Sequence, residues 1–205
     1  MSESNRYLSR FQEALAHIAP LPETEWAFLR RYARPKTYHS GEVLLEVGEV
    51  PGTCWFLAEG FLRFFYITEE GREYNKAFSR PGEIVVPLSG LRTRQPSAFA
   101  IAAVTATVTV LLPLSIIPRL YERHSAWERI GRVLAEDMAM RKEARERDFL
   151  LDSALVRYRR FARRYPELVD LLPQRQIANY IGVTEQALSR ILRTQREERS
   201  SLNSG

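Results

Sequence analysis

The sequence predicts an α+β protein: an N-terminal antiparallel β-roll with flanking helices, a long helix, and a C-terminal all-α helix-turn-helix domain. Three observations predict it. Between about residues 36 and 112, short aromatic or β-branched runs are punctuated by Gly41, Gly48, Gly52, Gly60, Gly71 and Gly82 and by a proline–glycine pair. From Arg119 to Tyr165 a helical pattern runs without a proline. The segment "QRQIANYIGVTEQALSRIL", 174–192, then carries the spacing of two short helices crossing at a tight turn.

In chain order, the first thirty residues read as helical. Phe11, Leu15 and Ile18 recur at helical spacing, and Pro20 and Pro22 close that segment. "PETEWAFLRRYA" sets Trp26, Leu29 and Tyr32 on a second short helix. "EVLLEVGE", "CWFLAEG", "FLRFFYITEEG" and "REYNKAFSRPGE" read as strands, with glycine at the corners because it accepts positive φ at no steric cost.

The apolar stretch "FAIAAVTATVTVLLPLSII", 99–117, is long enough to raise a membrane question. Val104, Ala106, Val108, Val110 and Leu112 alternate with Thr105, Thr107, Thr109 and Leu111, and Pro113 and Pro118 follow. A period of two with no charge-asymmetric flanks predicts a strand with one buried face, not a span. Beyond Pro118, Trp127, Ile130, Val133, Leu134, Met138 and Met140 form an apolar stripe wider than one packing partner needs. The expectation is a helix over about 118–149 that packs on the roll and on a second copy of itself, with Trp127, Ile130, Leu134 and Met138 at the seam. A helix burying both sides within its own chain is the alternative. A break near Asp148 to Asp152 would divide a first domain, 1–149, with the roll and the long helix, from a second, 150–205, with the helix-turn-helix.

In the helix-turn-helix, the inward places hold Ile177, Ile181, Val183, Leu188 and Ile191. Ala178 sits where two helices cross and only a small side chain fits; Gly182 follows where the chain must turn with positive φ. Pro173 suits the start of the first helix and Thr184 the N-cap of the second. The outward residues Thr184, Glu185, Gln186, Ser189, Arg190 and Arg193 suit a major groove. Arg190 can donate two hydrogen bonds to guanine, Gln186 can pair with adenine, and Glu185 can accept from cytosine. Gln174, Arg175 and Thr184 lie at helix N-termini, where phosphate contacts are expected. The run Arg157, Arg159, Arg160, Arg163 and Arg164 reads as a solvated face around Tyr158, Phe161 and Tyr165, with flanking of DNA as the alternative.

Charge points the same way. Residues 150–205 hold ten Arg and six Asp or Glu, a balance of +4 out of +5 for the whole chain. A basic surplus beside a helix-turn-helix predicts a polyanionic partner. One cysteine, Cys54, excludes a disulfide framework and a cluster or structural zinc built from several thiolates; in "TCWFL" it reads as core. His17, His39 and His124 show no metal-ligand spacing, so no metal and no cofactor are expected. No nucleophile elbow, phosphate-binding glycine loop or paired carboxylates stand out, which argues against an enzyme. The N-terminus lacks the order of a secretory signal, so a cytoplasmic protein without a membrane partner is expected.

A glycine-cornered roll, a long helix and a helix-turn-helix, in that order, resemble the Crp/Fnr family of bacterial transcription regulators. The resemblance rests on "GEVLLEVGE", "WFLAEGFLRFF", "RPGE" at 80–83 and "IANYIGVTEQALSRIL", and covers nearly the whole chain. It implies a cyclic-nucleotide-binding-like roll (a double-stranded β-helix), a homodimer through the long helix, and paired recognition helices on a palindromic DNA site, with RNA polymerase as a further partner. Two departures stand out. Only "RTQREERSSLNSG" follows the second helix, too short and polar for the usual wing. In the cyclic nucleotide cassette, Val86 and Pro87 stand where the family has glycine and glutamate, and Pro96 where it has the phosphate-binding arginine. Arg92, Arg94, Ser97 and Ala98 complete the candidate effector pocket, with Arg94 as the nearest substitute. A proline offers no side-chain donor or acceptor and no backbone N–H, so the usual cyclic nucleotide binding is not expected and the effector is some other small molecule, or none. Two functions follow: a sequence-specific DNA-binding regulator, or a small-molecule sensor with a vestigial DNA-binding end. The polar outward face of the second helix favours the regulator.

Overall fold

The computed structural model describes residues 3–202, with side chains for 3–194. It forms two compact units. The first comprises residues 1–71 and 76–138, the second residues 72–75 and 139–205. They part inside one helix, between Met138 and Ala139, rather than at the 149/150 boundary drawn from the sequence.

In the first unit, α1 (Glu3–Ile18) and α2 (Glu23–Arg30) precede eight strands: β1 (Arg34–Tyr38), β2 (Val43–Leu45), β3 (Thr53–Glu59), β4 (Leu62–Ile67), β5 (Glu73–Ser79), β6 (Ile84–Val85), β7 (Ala100–Ala103) and β8 (Thr107–Pro113). A short helix, α3 (Leu88–Arg92), lies between β6 and β7. The strands make two four-stranded sheets of order β1-β8-β3-β6 and β2-β7-β4-β5, with antiparallel pairings. This is the predicted roll. Gly60, with φ of 82°, shows why a glycine corner is required: a Cβ there would stand against Thr107 and the Ala106 carbonyl.

Two large cores, and a small cluster of Phe65, Ala100 and Ala102, fill the unit. Between the sheets, Tyr38, Leu45, Trp55, Leu57, Leu62 and Ile101 are buried together. On the other side of the first sheet, α1 and α2 pack on β3 and β8, and Phe11 stacks on Phe56 at 5.1 Å and meets Trp26 edge-on at 6.0 Å. This arrangement corrects the one-faced strand. The segment 99–117 holds two strands, and β8 sits inside its sheet with both faces covered. Val110 and Leu112 face the helices, Leu111 faces the roll interior, and Thr107 and Thr109 are fully buried. The threonines tolerate this because their hydroxyls bond backbone: Thr107 Oγ1 donates to the Thr105 carbonyl at 2.8 Å.

The proline-free stretch is not one helix. A single 3₁₀ turn (Leu114–Ile116) leads into α4 (Ile117–Arg123), with Pro118 in its first turn. His124 leaves helical geometry, its ring accepts from the Ala126 amide at 3.1 Å, and α5 (Ser125–Leu151) begins. The expected break falls at Asp152–Ser153, where Ser153 caps α6 (Ala154–Arg164) by accepting from the Val156 amide. The second unit continues with α7 (Pro166–Leu171), α8 (Gln174–Ile181) and α9 (Glu185–Leu202). Among the described residues, no helix is long and apolar enough to cross a membrane.

Candidate nucleic-acid interface and effector pocket

The α8–α9 pair forms around the residues that the spacing pointed inward. Ile177, Ala178, Ile181 and Leu188 are buried, and Val183 and Ile191 are half-buried. Gly182 ends α8 in the left-handed region at φ 74°, and its missing Cβ also makes room for the Phe149 ring. Thr184 caps α9: its hydroxyl accepts from the Ala187 amide at 3.2 Å. Pro173 is the N-cap of α8 rather than its first helical residue.

All eight candidate DNA-contacting residues are exposed: Gln174 and Arg175 on the first turn of α8, Thr184 before α9, and Glu185, Gln186, Ser189, Arg190 and Arg193 along it. Arg190 makes a long contact, 3.4 Å, to the Gln186 carbonyl on its own helix. The α9 helix runs to Leu202, so most of the polar segment placed after the second helix continues it; residues 203–205 and the side chains beyond Thr194 lie outside the described residues. Among the described residues no strand follows β8.

The basic run on α6 is partly committed to holding this unit together. Arg157 donates to the Ile181 carbonyl at 2.8 Å and the Asp152 carbonyl at 2.6 Å, closing the C-terminal ends of α8 and α5. Arg160 pairs with Asp148 and, at 3.1 Å, with Asp152. Arg164 donates to the Tyr165 hydroxyl at 2.9 Å. Tyr158, Phe161 and Tyr165 are buried as expected.

Sequence reading missed Arg145. Its guanidinium lies 4.2 Å from the Tyr180 ring centre and 4.8 Å from that of Phe149, and it donates to the Tyr180 carbonyl at 3.0 Å. Nothing in the charged run "RKEARERD" marks one arginine of several for this work.

The dimer-seam residues separate. Trp127 and Ile130 are 4% exposed inside their own chain and Leu134 is half-buried, whereas Met138 is 42% exposed. Only the later part of the stripe is open to a second copy.

The candidate effector residues do not converge on a phosphate cradle. The half-buried Val86 packs into the core beneath α1 and α2, and the buried Pro87 is the N-cap of α3. Arg92 ends that helix, exposed. Arg94, also exposed, takes φ 52° just past the α3 C-cap; its backbone makes the left-handed turn that glycine usually makes there. Pro96 and Ala98 are exposed. Ser97 is buried and its groups are used locally: its amide donates to the Glu49 carbonyl, its carbonyl accepts from Gly48, and its hydroxyl donates to the Phe99 carbonyl at 2.6 Å. Cys54 is core as expected. Burial pushes its thiol up to about 12, and the thiol points to the Leu112 carbonyl at 3.5 Å.

Residues 35–124 match the family model of the cyclic nucleotide-binding domain. The transcriptional activator protein Anr of Pseudomonas aeruginosa is 29% identical over 171 residues, spanning 77% of this chain and 68% of that protein. Among solved structures, FixK2 from Bradyrhizobium japonicum shares the fold with a TM-score of 0.69 at 19% identity, over 81% of this chain and 85% of its own. The catabolite activator protein of Thermus thermophilus does so with a TM-score of 0.54 at 22% identity, over 90% of this chain and 87% of its own.

Proposed function

We propose that this protein, whose matched domain, sequence relative and fold support a transcriptional regulator of the Crp/Fnr family, is a homodimer that reads double-stranded DNA through α9 and does not answer to cyclic AMP in the usual way. Its relatives are regulators rather than enzymes. The observation that carries the reading is the division of labour on α8 and α9. The residues buried between the two helices, Ile177, Ala178, Ile181 and Leu188, are apolar, and the eight candidate DNA-contacting residues are all exposed.

On this reading Arg190, Gln186 and Glu185 read base edges, while Gln174, Arg175 and Thr184 position the helices on phosphates. Two copies, joined along the exposed part of α5 from Met138 onward, would present two recognition helices about one DNA turn apart. RNA polymerase is the further partner that such a regulator implies. The vestigial-sensor reading draws on the lack of a strand after β8 among the described residues, but an idle helix has no need of Glu185, Gln186, Ser189 and Arg190 on one open surface.

The test is selection from a random duplex library, followed by anisotropy titration of the winning duplex. The expected result is a palindromic site bound about 10³-fold or more tighter than random duplex. Equal affinity for every duplex would sink the reading.

A further inference from the structure

The first unit holds a partly open apolar cavity of about 100 Å³. Its walls include Leu88 and Leu91 of α3, Leu112 of β8, Tyr121 of α4, and Leu134 and Met138 of α5. We propose that this cavity is an effector site for a compact neutral molecule, a single aromatic ring bearing a hydroxyl or carbonyl oxygen, with the Tyr121 hydroxyl as its hydrogen-bond donor.

Charge decides the ligand class first. No lysine, arginine, histidine or carboxylate lines the cavity, so an anion placed there would lose its hydration without a partner. A cyclic nucleotide is therefore the wrong chemistry. Size comes next: an apolar cavity of about 150 Å³ stays dry and takes up benzene, and this one is of similar order and open on one side.

A polar handle is also present. Tyr121 is half-buried, and its phenol lies where Gly131 of α5 has no side chain, held along that helix. Burial raises its pKa, so it stays a neutral donor across the physiological range. The Cys54 thiol is already turned to the Leu112 carbonyl. Tyr121 is left to select an oxygen on the ligand. Because α3 and α5 both wall the cavity, occupancy would bear on α5 directly: a ring between Leu91 and Leu134 would brace the helix proposed to dimerise. That consequence alone rests on the DNA-binding reading; the site itself does not.

The experiment titrates the full-length protein, free of DNA and labelled with ¹³C at leucine and methionine methyl groups, with phenol, benzene and cyclic AMP. Saturable shifts at Leu91, Leu134 and Met138 with phenol and benzene, and none with cyclic AMP, are expected. Tyr121→Phe should weaken phenol about fivefold, the worth of one neutral hydrogen bond, and leave benzene within about twofold. If that variant does not fold, the wild-type titration still decides the location. The proposal is overturned by shifts confined to the roll-interior leucines Leu45, Leu57 and Leu62, or by shifts that never saturate. It is equally overturned if the cavity methyls ignore both rings but move with protein concentration, which would give the cavity to a second copy. Failure to select a DNA site would leave this result unaltered, so the two readings fail separately.

Discussion

Arg123 grips Glu25 with both prongs of its guanidinium. Nε donates to Oε2 at 3.0 Å and Nη2 to Oε1 at 2.8 Å, while Trp127 Nε1 donates to the same carboxylate at 3.0 Å. Glu25 is 7% exposed, and the Arg123 guanidinium covers the Phe28 ring at 3.9 Å. One buried carboxylate thus joins α2 to the end of α4 and the start of α5. Its charge is tolerated because three donors replace water.

Glu25→Gln should cost about 1–3 kcal/mol in urea unfolding at neutral pH, less than a fully buried pair because Arg123 is partly exposed. The Arg123 hydrogen bonds hold the Glu25 pKa below its ordinary value, so the ionised form is favoured in the fold. Its contribution is complete above the unfolded carboxylate's pKa and is lost as pH falls through the lower folded value. The variant should therefore show a shallower acid limb. A wild-type acid limb retained in the variant would refute this.

Gly182→Ala should destabilise the second unit by more than about 1 kcal/mol, the ordinary cost of the left-handed region for a residue with a Cβ. The Phe149 ring adds crowding. Gly182→Asn separates the causes, since asparagine tolerates the backbone but still meets Phe149. Recovery of Gly182→Asn by Phe149→Ala would assign the remainder to the ring.

Arg190→Ala should weaken the selected duplex by about 1–3 kcal/mol and relax preference at one base pair, as loss of a bidentate base contact does. Anisotropy against single-base variants of the site measures both. A uniform loss across all duplexes would make Arg190 a phosphate contact.

Cys54 should resist thiol reagents at pH 7–9 in the folded protein and react fully in denaturant. Cys54 is 4% exposed and burial pushes its thiol up to about 12, so almost no thiolate is available. Rapid labelling of native protein would reopen a redox-sensing role.

Calorimetric titration with cyclic AMP should give no saturable heat. Pro87 and Pro96 carry no phosphate or ribose partner, and the Ser97 hydroxyl already bonds the Phe99 carbonyl. Micromolar binding would mean that Arg92 or Arg94 substitutes for the missing arginine.

The local features were legible in the sequence because each depends on neighbours along the chain. Gly182 and Thr184 mark their turn and cap by residue type, and Ile177, Ile181 and Leu188 mark a buried face by spacing alone. The glycine corners located the roll for the same reason. What misled was period without partners. The alternation along 104–112 is real, but β8 lies between β1 and β3 with a core on each face, so its threonines are as buried as its valines. Trp127 and Ile130 fit a dimer seam by spacing, yet α1 and α2 reach them first.

By itself the sequence determined the order of roll, long helix and helix-turn-helix, the polar outward face of α9, and the prolines at positions 87 and 96, all of which reside in residue identity and short-range period. Only the tertiary structure decided which part of α5 stays open, which arginines of α6 are spent on helix ends, and that an uncharged cavity lies between α3 and α5. Those depend on which distant segments exclude water from a side chain, and burial of that kind is a property of the packed chain rather than of any stretch within it.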